Sequence, residues 1–305
     1  VERRLEYAMA AAIGAMSPAD ARSFISACFE STEGAAIAAS AEAGPRLARV
    51  LGAGALDPEG AAPWLERLLG AEEVSTRAAA AHAMRFLGDG ALGAAEEALA
   101  GEFNARVQLQ LVELLAAHAD LTEGAAPGEL QPAVEALLEM LEGGASERVL
   151  EAVAVALGQP EAAPPVVKVL CEFVGGDASP ALKTTAAVAL GMTRSAAALA
   201  PLKGLLAAED WQLRAAAAEG MAQLSQPTCV EPLLAALGDE HSCVVETAHR
   251  ALLTFSGREG QEVDLAGWPD WWSENGKRAT FRTKREQQDL QKRYGYGVDE
   301  AAVYR

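Results

Sequence analysis

Aromatic side chains are scarce in this chain, at 5% of 305 residues, and lysine and arginine number 25 against 43 aspartates and glutamates. The first shortage argues against one large globular core, which needs the bulk that aromatic residues supply. The second argues against nucleic acid as a partner, because phosphate contacts require clustered cations. No apolar run reaches the roughly 18–20 residues of a membrane span, which excludes direct membrane insertion by such a helix. No signal peptide is visible, but the chain starts at Val1 without a methionine. A missing upstream segment, and with it the compartment, stays open. Cys28, Cys171, Cys229 and Cys243 show no CxxC pair and no tight metal spacing, which predicts buried free thiols. A Cys229–Cys243 disulfide needs helices that bring the two together. No Walker loop or nucleophile elbow occurs.

What the chain does have is alanine, roughly a fifth of all residues. Alanine is the best helix former and lets helices approach closely, so thin helical layers suit this composition. The charge is segregated. Residues 1–256 hold 16 Lys/Arg against 34 Asp/Glu and so carry the whole net charge of −18, whereas residues 257–305 hold nine of each. The plain reading of that excess is a soluble, self-repelling surface, and the sharper one is an acidic groove for a basic partner.

The alanines recur in register. LKTTAAVALG, starting at Leu182, aligns with LRAAAAEGMA, starting at Leu213, after a shift of 31 residues, and VVETAHRALL follows after 31 more. VLEAVAVALG lies 33 residues upstream of the Leu182 segment, and TRAAAAHAMRFLG and ARVQLQLVELL have the same style. A second helical stretch precedes each, usually opened by proline: APWLERLLG, PAVEALLEML, PPVVKVLCEFV, APLKGLLA, EPLLAALG. Apolar residues recur there at three- and four-residue steps, as in Leu202, Leu205 and Leu206. The unit is a pair of helices whose apolar face is too small to fold alone and is buried by stacking neighbours.

This pattern resembles a HEAT-repeat α-solenoid, of the shorter bacterial sort. The resemblance implies an all-α, right-handed α-solenoid of about six to seven two-helix repeats. It also implies a charge ladder between adjacent repeats, carried by the acidic-then-basic pairs Glu73 and Arg77, Glu102 and Arg106, and Asp210 and Arg214. Leu150 and Val245 occupy the basic slot in two repeats, so the ladder is expected to break there. The organisation expected is diverged N-terminal helices over 1–56, the array over 57–257, a Trp-rich cap over 258–276, and a basic helix and tail over 277–305. TEGAAPGELQP, from Thr122, and GQPEAAPP, from Gly158, read as surface insertions that interrupt the repeat.

Catalytic chemistry is thin. Glu246 and His249 share a helical face, but a carboxylate-bridged metal site needs matching ligands from other helices. HEAT-fold di-iron hydroxylases resemble the array and use repeated His-Glu dipeptides, of which this sequence has none. Phycobilisome-associated bilin lyases use HEAT-like repeats, and nothing beyond the repeat favours them. HEAT-like alkylpurine DNA glycosylases need a basic concave face, which the charge opposes. His82 and His118 read as structural.

The C-terminal stretch GWPDWWSENGKR places Trp268, Trp271 and Trp272 at i, i+3, i+4, on one helical face, with Pro269 in the first turn. A solenoid must cover its last apolar face, and three indoles suit that cap. KRATFRTKREQQDLQKR follows, with seven basic and two acidic residues and no apolar stripe. It reads as a polar helix that folds on the acidic array or docks on an acidic partner.

The expectation is therefore a non-enzymatic scaffold that binds another protein, within a larger assembly or as a homo-oligomer, without cofactor or metal. The candidate contacts are Gln108, Glu113, Glu151, Thr184, Glu219, Glu246 and Arg250 on the second helices, and Lys284, Arg285, Lys292 and Arg293 in the basic segment. The alternative is a lyase or another ligand- or cofactor-handling enzyme of the HEAT type.

Overall fold

The computed structural model describes residues 58–118, 130–142, 145–160, 162–257 and 265–276, together with Ser17, Asp20, Ser23, Pro45, Ala48 and Leu51. The expected N-terminal helices, most of the Thr122–Pro132 insertion and the whole basic segment, including Lys284, Arg285, Lys292 and Arg293, lie outside the described residues.

Every regular element described is helical, and the helices come in six consecutive pairs. They are α1 Pro58–Leu69 with α2 Val74–Met84, α3 Leu92–Gly101 with α4 Ala105–His118, and α5 Pro132–Glu142 with α6 Glu147–Leu157. The other three are α7 Pro164–Gly175 with α8 Pro180–Met192, α9 Leu199–Leu205 with α10 Trp211–Leu224, and α11 Val230–Ala236 with α12 Ser242–Ser256. A last helix, α13, runs over Trp268–Asn275. The fold class is an all-α solenoid of repeated helix pairs.

Local chemistry explains the boundaries. Prolines open α7 and α8, where the missing N–H is not needed by the helix. The short helices α9 and α11 carry Pro201 and Pro232 at their third position and are led in by 3-10 turns, Ala196–Ala198 and Pro227–Cys229. Second helices start on side-chain caps: Ser179 Oγ accepts from the Leu182 N–H at 3.2 Å and Asp210 Oδ1 from the Gln212 N–H at 2.9 Å. α10 and α12 end on left-handed residues, Ser225 (φ 50°) and Gly257 (φ 67°), which turn the chain toward the next element.

The chain divides into two compact units, 1–120 with 132–152, and 121–131 with 153–305. The division falls within α6, inside the stretch expected to be one array. In the first unit α2 packs on α1 and α4, and α3 on α4 and α5. In the second, α8, α10 and α12 pack in sequence, each also against its own first helix. The core there is leucine from first helices, such as Leu170, Leu202 and Leu233, against alanine from second helices, such as Ala186, Ala187, Ala217 and Ala218. Each buried Leu or Val contributes about 1.5–3 kcal/mol, and the alanines set the spacing. Along α8 and α10 the spacing shrinks to backbone contact. A Cβ on Gly191 would overlap the Gly220 carbonyl, and one on Gly220 would lie 2.5 Å from the Ala187 oxygen.

Candidate cleft in the first unit

Two arginines are built into the turns by the same construction. Arg77 Nη1 donates to the Ala71 and Glu72 carbonyls, each at 2.8 Å, and so holds the turn at the end of its own repeat's first helix. Its Nε donates to Glu102 Oε2 at 2.7 Å in the next repeat. Glu102 in turn accepts the Phe103 and Asn104 N–H groups, at 3.0 and 2.7 Å, just before α4. Arg214 repeats this in the second unit. It donates to the Ala208 and Glu209 carbonyls at 2.9 and 2.8 Å and to both Asp239 oxygens at 2.8 and 2.9 Å, while Asp239 accepts the His241 N–H at 2.8 Å. One guanidinium thus ties two successive turns together, and its carboxylate partner orients the start of the next second helix.

The other ladder positions behave differently. Asp210 caps α10, and Glu73 accepts from Ser75 Oγ at 3.1 Å. Arg106 is exposed and enters no ion pair among the described residues. The partner of Arg214 is Asp239, which the four-residue acidic-basic spacing does not single out. It lies 25 residues beyond Arg214, as Glu102 lies 25 beyond Arg77, and that shared interval was the signal available.

Burial pushes the Glu102 carboxyl up, but the Arg77 hydrogen bond and the Asn104 and Phe103 N–H groups outweigh it, and its pKa is lowered. A lowered folded pKa contributes stability that is present above the ordinary glutamate range and is lost as pH falls through the folded value. We therefore expect the first unit to lose stability as pH drops below that range, and Glu102→Gln to flatten this acid limb. At neutral pH the substitution is expected to cost about 2–3 kcal/mol, since it leaves Arg77 without its carboxylate. Chemical denaturation across an acid pH series checks both.

Between these turns the first unit opens into a cleft of about 750 Å³. Leu69, Val74, Ala94, Ala98 and Val107 give it apolar lining, and Glu66, Glu97, the Arg77–Glu102 pair and Asn104 give it polar groups. Asn104 Oδ1 accepts the Arg106 N–H at 3.0 Å, so it is fixed as a helix cap. Phe103 stands at this cleft with 92% of its surface exposed. A phenyl ring so exposed has no packing role, because apolar surface left in water contributes nothing to the core. Glu66 and Glu97 are exposed and enter no ion pair among the described residues. Arg77 neutralises Glu102, so the unspent charge of the cleft is negative. None of Phe103, Glu66 or Glu97 was singled out in the sequence, where each reads as ordinary turn or surface composition.

The seven expected second-helix contacts scatter over both units. Gln108 is only 8% exposed, and its Nε2 donates to the Glu102 carbonyl at 2.8 Å. Glu113 accepts from Arg85 at 2.7 Å, beside Gln110. Thr184 Oγ1 donates to the Pro180 carbonyl at 2.9 Å, within its own helix. Glu219 is held by Arg250 at 2.9 Å and by Gln223 at 2.8 Å. Glu151 is half-buried and its carboxyl is pushed up, mainly by burial and then by Glu147. Glu246 and Arg250 are exposed.

Trp268 is fully buried, with its ring edge-on to His249 of α12 at 5.8 Å, whereas Trp271 and Trp272 are half-buried. Among the described residues, the buried indole Nε1 of Trp268 and His249 Nε2 have no hydrogen-bond partner. His249 is thus packed against the tryptophan, while Glu246 is exposed. Cys229 is buried, Cys171 half-buried and Cys243 exposed, all as free thiols. Among the described residues no group of three or more His, Cys, Asp or Glu side chains could hold a metal ion, and no helix is long and apolar enough to cross a membrane.

The sequence profile described as HEAT repeats matches residues 134–212 and 202–266. No curated protein sequence matches the chain. Among solved structures, human deoxyhypusine hydroxylase in complex with glycerol is similar at 24% identity. The match covers 82% of this chain and 88% of that one, with a TM-score of 0.35. That neighbour is an enzyme, and this corrects the expectation of a non-enzymatic scaffold. A repeat array can host catalysis, so neither the fold nor the lack of a sequence motif makes a chain non-enzymatic. At such a TM-score the likeness brings no particular activity to this chain.

Proposed function

We propose that this chain, whose residues 134–266 match the HEAT-repeat profile and whose repeated helix pairs take their function from sites placed on them, handles a small cationic ligand in the cleft of the first unit. The observation that carries this reading is Phe103, 92% exposed beside a concavity of about 750 Å³. Ligand sites typically have volumes of about 300–1,000 Å³, with apolar lining and a few fixed polar groups. The Arg77–Glu102 pair and the capping Asn104 provide rigid walls, so the cleft is preorganised. Glu66 and Glu97 supply the charge that selects a cation, and the Phe103 face supplies cation–π attraction. An ammonium group carried on an apolar or aromatic body uses every one of these features.

The test pairs two probes of similar shape and opposite charge. 2-Phenylethylammonium is expected to bind the full chain, and phenylacetate is not. Phe103→Ala should weaken the ammonium by about threefold to fivefold, the size of an exposed cation–π contact. Glu66→Gln with Glu97→Gln should weaken it further and remove most of the salt dependence. Calorimetric titration checks this, and equal binding of the two probes by all variants would overturn the reading.

A further inference from the structure

At the turn edge of the second unit, Trp211 opens α10 and stacks flat on His241, the capping residue of α12. The ring centroids are 3.9 Å apart and the planes lie within 5°. Trp211 nevertheless keeps 37% of its surface exposed, unlike Trp268, which is buried completely. Carboxylates crowd the same edge. Asp239 is committed to Arg214 and Asp210 to the Gln212 N–H. Glu240 is 86% exposed and pairs with Arg214 at 3.3 Å, and Glu209 is exposed two residues before the indole. Among the described residues the one cation in this cluster is Arg214, whose main partner is Asp239. A partly exposed indole–imidazole stack beside exposed carboxylates suits a guanidinium, whose plane stacks on an aromatic face while its N–H groups reach an acid.

The chain itself contains a segment of that chemistry. Residues 277–293 hold four arginines and three lysines against two acids, while residues 1–256 carry the full excess of negative charge. We propose that Trp211, His241 and Glu240 form a docking surface for the arginine-rich segment 277–293 of a second copy of this chain. Exchanged between two copies, the contact is made twice, as in an isologous dimer. The surface belongs to the second unit and is independent of the cleft in the first.

Sedimentation velocity on the full chain tests this between about 50 and 500 mM salt, the range over which exposed charges become screened. The expected result is a reversible dimer at low salt that dissociates at high salt. Glu240→Lys and Trp211→Ala should each raise the dimer dissociation constant about tenfold. Arg282→Glu with Arg285→Glu should do the same, and combining that pair with Glu240→Lys should recover part of the loss. Because the Glu240 side chain is 86% exposed, losing its surface contact with Arg214 in Glu240→Lys should shift the melting temperature only slightly, so this variant decides the matter even if Trp211→Ala unfolds the unit. A chain that stays monomeric at low salt, or a dimer indifferent to both Glu240→Lys and the segment reversal, overturns the proposal.

Discussion

Gly191→Ala is expected to lower the melting temperature of the second unit by on the order of 10 °C, although alanine is intrinsically the better helix residue. The helix preference is worth up to about 1 kcal/mol in favour of the variant. Against it stands a methyl group that has nowhere to go. Gly191 on α8 faces Gly220 on α10, and the added carbon would overlap the Gly220 carbonyl, which is backbone and cannot rotate away. The two helices must separate, and the alanine layer around them, Ala186, Ala187, Ala217 and Ala218, loses contact together. Overpacking of this kind costs about 3 kcal/mol or more, and 1 kcal/mol corresponds to about 2–4 °C for a unit of this size. Gly220→Ala should behave similarly, and the double variant should cost less than the sum, because one separation relieves both overlaps. Far-UV dichroism at low temperature should stay helical. A melting temperature unchanged by Gly191→Ala would mean that α8 and α10 do not meet at backbone contact.

Trp268→Ala should cost about 3–5 kcal/mol, the range for removing a fully buried aromatic. The indole is 0% exposed and packs edge-on to His249 and to Trp271, with centroids 5.8 and 5.5 Å away. Truncation leaves a cavity between α13 and the last repeat, and the half-buried Trp271 and Trp272 cannot fill it without giving up their own contacts. The buried indole N–H has no acceptor among the described residues, so Trp268→Phe forfeits volume but no hydrogen bond seen there and should cost less than half as much. Trp271→Ala should fall between these and an ordinary surface change. Differential scanning calorimetry of the three variants orders them. Equal melting of Trp268→Ala and the parent chain would remove the capping role.

The repeat was legible because it rests on two periodicities that sequence displays directly: apolar residues at helical spacing, and a register of small residues repeated every 31–33 positions. The reason for Gly191 and Gly220 was less legible. Both fall in the small-residue register, but only the packing of α8 on α10 separates a slot that admits alanine from one that admits only glycine. The arginine–carboxylate rungs were half legible. Arg77 and Arg214 stand out beside an acid four residues earlier, yet each binds an acid 25 residues later, across a turn. The cleft was not legible. Phe103 follows Glu102 in a turn that looks like any other, and its exposure depends on how α3 and α4 close around the Arg77–Glu102 pair. Gln108 shows the opposite failure: a polar residue on a second helix reads as surface, but its amide is drawn inward by the Glu102 carbonyl. A periodic pattern gives the face of a helix, and a single turn decides which polar group that face must satisfy.

The cleft is tested most directly by amide chemical shifts of the full chain during titration with 2-phenylethylammonium and, separately, with phenylacetate. The ligand reading predicts saturable shifts confined to Gly101, Phe103, Asn104 and the neighbouring ends of α1 and α3, seen with the ammonium and absent with the carboxylate. Shifts spread over exposed acidic positions throughout both units, or no saturable shift at Phe103 and Asn104, would contradict it.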